Sequence, residues 1–200
     1  MRTRILLIAA PLAMVASAVL VVPSGLTLNP SDPASALAAV HERTALHLVE
    51  LALDVLGWLA LTAAGLSIAG GRRGDPLAGG LLAAAGLAGM LHDAGNLAVT
   101  QLAAAPADPA AITTAAAVML TAKWGVNLAG LLWTAATLAA ARGRWPGLLA
   151  AASGLAAVVL PWTFGTGTPS PAAEQVGYLL HVPVMVWWLI HGLRAAPRRA

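Results

Sequence analysis

The run LAGGLLAAAGLAGMLHDAGNLAVTQLAAA, residues 77–105, decides how this chain is read. Its apolar length suits a helix crossing a bilayer, which takes about 20 residues at ~1.5 Å each. Yet His92, Asp93 and Asn96 interrupt it near the middle. Ionisable groups are costly in hydrocarbon, so they face a bundle interior or a watery cavity rather than lipid. The segment therefore predicts a membrane helix with an inward polar face.

The rest of the chain repeats the pattern. Of 200 residues, 59% are hydrophobic and 10% charged, and the mean hydropathy is +0.80. Apolar stretches fall at about 5–22, 44–69, 77–103, 111–141, 147–163 and 176–193. They predict an all-α integral membrane bundle of six transmembrane helices, a single domain over residues 1–200. NPSDPAS (29–35) and PADPA (106–110) read as turns, and GGRRGDP (70–76) and RGRWPG (142–147) as charged elbows. FGTGTPSPAAEQ (164–175) reads as a polar loop. The first stretch has the basic start and the Ala16–Ala18 small-residue site of a signal peptide, but VLVV prolongs the apolar run, so an uncleaved anchor is expected.

The positions of the basic residues predict an orientation. Of the eleven Lys and Arg residues, all but Arg43 and Lys123 fall at the ends of the helices that a six-span topology gathers on one side. Arg2, Arg4, Arg72, Arg73, Arg142, Arg144, Arg194, Arg198 and Arg199 make up that group. By the positive-inside rule both termini are cytoplasmic. This also accounts for the pI near 10.6 without nucleic acid as a partner; the expected surroundings are the lipid bilayer of the plasma membrane.

Small residues let membrane helices approach closely, and Ala85/Gly89 and Ser153/Ala157 have the spacing for it. Spans one and five carry almost nothing polar. They read as lipid-facing scaffold, with Ser17 and Ser153 bonding back to their own helices. The other four spans all carry ionisable groups. Arg43, His47, Glu50 and Asp54 lie on one stripe of span two, and His92, Asp93 and Asn96 on span three. Lys123, Asn127 and Thr134 share a face of span four, while Tyr178 and His181 sit a turn apart on span six, ahead of Pro183. Counted from the outer helix ends, His47 and His181 lie ~5–8 Å deep and Asp54 and Asp93 ~15 Å deep. The expectation is a polar cavity open to the outside, lined by His47, Glu50, Asp54, His92, Asp93, Asn96, Lys123, Asn127, Tyr178 and His181. Asp93 is expected to pair with Lys123.

Three acids in these spans outnumber their cations, and a low dielectric demands compensation by a proton, a charged histidine or a bound cation. The readings this leaves open come from different classes. One is a structural or partner- or lipid-binding component; another is a proton- or cation-linked carrier or sensor of a small ligand. The third is a metal-dependent intramembrane hydrolase, with His47, His92, His181 and an acid, Asp93 or Asp54, as ligands of a divalent metal whose bound water would attack. No H-E-x-x-H pair, phosphate-binding glycine loop or serine elbow supports an enzyme. Without cysteine, thiolate ligands and disulfides are excluded.

With its Ala/Gly/Leu/Arg usage, its anchor-like first span and the segment LNPSDPASALAAVHERTALHLVELALDVLGWL (28–59), the chain resembles uncharacterised multi-pass membrane proteins of actinobacteria. The resemblance covers about the first hundred residues. It implies a bacterial plasma-membrane location and a multi-pass fold, and no catalytic residue. The paired late-helix histidines of ceramidase-type hydrolases are missing.

Overall fold

The computed structural model describes residues 2–72, 74–164 and 171–194. Of the nine arginines that set the expected orientation, Arg73, Arg198 and Arg199 lie outside these residues. Among the described residues the elements are α1 (Arg2–Ser24), α2 (Pro33–Glu42), α3 (Thr44–Ala69), α4 (Pro76–Leu102), α5 (Pro109–Ala141), α6 (Trp145–Val159) and α7 (Pro171–Arg194). A 3-10 segment, Leu160–Phe164, continues α6, and no strand occurs among the described residues. Helices α1, α3, α4, α5 and α7 are long and apolar enough to cross a membrane. The fifteen residues of α6 rise only ~22 Å, and the 3-10 segment adds ~10 Å. Together they match the ~30 Å of a hydrocarbon core.

Three helices start on the same dipeptide. Asp32, Asp75 and Asp108 each accept a backbone N–H of the first turn, from Ser35 at 3.3 Å, Ala78 at 3.1 Å and Ala110 at 3.0 Å. Each is followed by a proline in the first turn, where no N–H is needed. The expected turn in NPSDPAS forms at its first half, where Asp32 N–H donates to Asn29 O at 3.0 Å, and its second half begins α2, a helix the hydropathy pattern does not announce. The expected polar loop at 164–175 is also shorter, because Pro171–Gln175 already belongs to α7.

Helices α3 and α4 run antiparallel in very close contact, because glycine removes the side chains between them. A Cβ on Gly65 would lie 2.4 Å from Ala83 N, on Gly79 2.4 Å from Ala69 N, on Gly86 2.2 Å from Thr62 Oγ1 and on Gly89 2.0 Å from the Trp58 ring. Every step back along α3 is matched by an equal step forward along α4. This register brings Asp54 opposite Asp93. On the far side of α4, Gly95 meets Ala122 and Gly125 faces His92, which seats α5.

Two apolar clusters bracket the polar residues. Leu7, Met14, Trp58, Leu61, Leu82, Trp133, Val184 and Trp188 belong to one. Leu26, Leu37, Val40, Val99, Ala115 and Met119 belong to the other, where α2 lies over α4 and α5. His92, Asp93 and Asn96 fall between Ala88 of the first cluster and Val99 of the second. Outward-facing Leu56, Leu59, Leu66, Leu87, Leu91, Leu128 and Leu138 are exposed, as an apolar surround requires.

Candidate functional site

The centre of the polar layer is a pair of carboxyls. Asp54, His92 and Asp93 each offer a ligand atom within 4.8 Å of the others. Asp93 is 2% exposed, and neither of its oxygens receives a hydrogen bond from the described residues. Asp54 is better served: Trp58 Nε1, one turn along α3, donates to it at 3.2 Å. A buried carboxylate without a donor is costly, and a second carboxyl alongside raises that cost by repulsion.

His92 is held in one orientation. Its Nδ1–H donates to the Ala122 carbonyl at 2.8 Å, so Nε2 carries the lone pair. Asn96 donates its amide to that Nε2 at 3.0 Å. Nε2 also lies 4.0 Å from Asp93 Oδ1. The imidazole is neutral in this arrangement, with its one acceptor already engaged.

A second carboxyl site continues along α3 toward its start. His47 Nδ1–H donates to Glu50 Oε2 at 3.1 Å, with His47 1% exposed. Ser17 of α1 donates to the other oxygen of Glu50 at 3.5 Å. His47, Glu50 and Asp54 therefore form a ladder of titratable groups over ~10 Å of helix. Arg43, on the same stripe in sequence, turns away and donates to the Ser24 carbonyl.

The ten residues that the sequence assigns to one cavity thus separate. His47 and Glu50 pair with each other; Asp54, His92, Asp93 and Asn96 cluster. The polar face of α5 points elsewhere: Asn127 donates to Val158 O at 2.9 Å, and Thr134 packs beneath Gly154 of α6. His181 stands edge-on to Trp133, ring centres 5.3 Å apart, and its Nε2 has no partner among the described residues. Tyr178 is exposed. Of the expected metal ligands, His92 comes together with both candidate acids, Asp93 and Asp54, while His47 and His181 are not in the group.

Some expectations are corrected. Lys123 does not pair with Asp93; its ammonium donates to Glu174 near the start of α7. A long flexible stem carries the charge toward the helix ends, where an ammonium is better solvated. Ser17 and Ser153 do not bond back to their own helices: Ser17 reaches Glu50, and Ser153 donates to Leu180 O on α7 at 2.6 Å. That carbonyl neighbours the Leu179 carbonyl that Pro183 leaves without its helical donor. Helix α1 is accordingly part of the site and not mere scaffold. Trp58, Glu174 and Ser17 escape the sequence reading; only Trp58, four residues after Asp54 on its stripe, has a local signal.

The new pairing has a measurable consequence. In detergent melts, Lys123→Met and Glu174→Gln are expected to show a coupling of about 1–3 kcal/mol in a double-mutant cycle. Lys123→Met and Asp93→Asn should add independently. A coupling between Lys123 and Asp93 instead would contradict the arrangement.

Compared with protein-family models, curated proteins and solved structures, the chain finds no match. Any functional reading therefore rests on the carboxyl pair and the groups around it.

Proposed function

We propose that this is a multi-pass bacterial plasma-membrane protein, with six crossings and both termini cytoplasmic, that takes up protons at Asp54 and Asp93 as a proton-linked carrier or sensor of a small ligand. The observation that carries the reading is Asp93: a buried carboxyl with no donor among the described residues, set against a second carboxyl. Two such groups cannot both hold a full charge in a low dielectric; a shared proton supplies the missing hydrogen bond and removes half the charge. Lys123 and His47 are engaged by Glu174 and Glu50, so neither neutralises the pair. The ladder His47, Glu50, Asp54 provides titratable steps from the outer helix end, as intramembrane proton relays do. The gathering of Arg2, Arg4, Arg72, Arg142, Arg144 and Arg194 at the opposite helix ends supports the orientation.

A divalent cation on Asp54, Asp93 and His92 is the second reading, favoured by the mutual reach of their ligand atoms. It requires Asn96 to release His92 Nε2. A hydrolase would need that metal first.

Potentiometric titration of the detergent-purified chain, with elemental analysis of the same sample, separates these readings. The proton reading expects one proton bound near neutral pH that Asp93→Asn lacks, without stoichiometric metal. About one transition metal per chain, lost in His92→Ala, would replace it with the metal reading. Overlapping titration curves and no metal would sink both.

A further inference from the structure

The opposite end of the bundle carries a separate pair of connected hollows. One, of about 420 Å³, lies among the start of α1, the end of α3, the start of α4 and the α5–α6 elbow. Arg4, Arg142 and Arg144 line it, with Asp75 the one acid among the described lining residues. The other, of about 280 Å³, is walled by Pro146, Trp187 and Ile190, with Arg194 at its edge. Arg144 and His191 line both, so the two hollows meet at these residues.

The charge around the polar hollow is unbalanced. Asp75 accepts from Ala78 N at 3.1 Å and lies 3.4 Å from Arg142. That backbone donor, then Arg142, holds its carboxyl below the ordinary carboxylate range, so it stays ionised and engaged. Arg4 and Arg144 have no ion pair among the described residues. The start of α6 also lacks a side-chain cap, and an uncapped helix N-terminus adds partial positive charge and N–H donors. The neighbouring hollow is apolar, and Ile190 on its wall is 38% exposed. A cationic pocket opening into an apolar slot at a helix end matches a molecule with an anionic head and a hydrocarbon tail.

We propose that this end binds one anionic phospholipid of the adjoining leaflet. Its phosphate sits between Arg4 and Arg144, and an acyl chain lies along Trp187 and Ile190. Basic pockets between membrane helices hold such headgroups through charge and hydrogen bonding, and the guanidinium fork suits phosphate. This site is independent of the carboxyl pair.

Native mass spectrometry of the full chain in detergent tests it, with phosphatidylglycerol, phosphatidylcholine and glycerol phosphate as probes. One phosphatidylglycerol per chain should be retained in preference to phosphatidylcholine, and glycerol phosphate alone should not be held. Arg4→Gln and Arg144→Gln should each weaken retention about fivefold. Arg2→Gln, which removes the same charge outside the hollows, should leave it unchanged. Arg144 is exposed, so its variant keeps the core intact. Equal retention of the two lipids, an equal loss in Arg2→Gln, or glycerol phosphate held as tightly as the lipid would each overturn the proposal.

Discussion

Asp93→Asn is expected to abolish proton uptake at the carboxyl pair and, at a pH high enough to strip the shared proton from the wild type, to make the protein more resistant to heat. The amide keeps the shape of the carboxyl and carries no charge. It also keeps an N–H donor toward Asp54 at every pH, whereas the wild type sets oxygen against oxygen once the shared proton is lost. Relief of an unsatisfied buried polar group is worth about 1–3 kcal/mol. At ~2–4 °C per kcal/mol for a chain of this length, the melting temperature rises by several degrees. Loss of activity with a gain in stability marks a group retained for function against its cost to the fold. An Asp93 that served only to tie helices together would do the reverse, losing stability on substitution. A detergent melt beside the proton titration distinguishes the two outcomes.

The largest loss of stability is expected at the α3–α4 seam. In Gly86→Val the first new carbon would lie 2.2 Å from Thr62 Oγ1 and 2.6 Å from the Trp58 carbonyl. Backbone cannot yield as a flexible side chain would, so the two helices must separate. Overpacking ordinarily costs about 1–3 kcal/mol; with backbone on both sides the expected loss exceeds about 3 kcal/mol. Asp54 and Asp93 depend on the same seam for their register, so the variant should also lose the proton signal. Gly80→Ala is the control. A Cβ there has nothing within 4 Å, and alanine is favoured over glycine in a helix by ~1 kcal/mol, so stability should hold or rise. Equal behaviour of the two variants would contradict the seam.

How much of this was legible in the sequence differs from element to element. Helix α3 occupies residues 44–69, as its apolar run predicts, because hydropathy and length suffice for a membrane helix. The carboxyl pair was legible only in part. The stripe His47, Glu50, Asp54 follows from helical periodicity, but its partner across the seam depends on which glycines make contact. Gly65, Gly79, Gly86 and Gly89 become a register only once α3 and α4 lie antiparallel. The Lys123 pairing was out of reach for a related reason. Helix α5 is 33 residues long, ~50 Å against a ~30 Å core, and its vertical position is free until α2 and α7 pack on it. The turn at residues 29–32 is legible, but the helix α2 that follows it is not, because Asp-Pro serves turns and helix caps alike and ten residues are too few to stand out by hydropathy.

Infrared difference spectroscopy of the protein carrying isotope-labelled aspartate tests the proton-sharing pair most directly. A proton shared by Asp54 and Asp93 predicts a protonated-carboxyl C=O stretch at neutral pH, shifted by the aspartate label and lost in Asp93→Asn. A wild-type spectrum with every labelled aspartate ionised at neutral pH would contradict it.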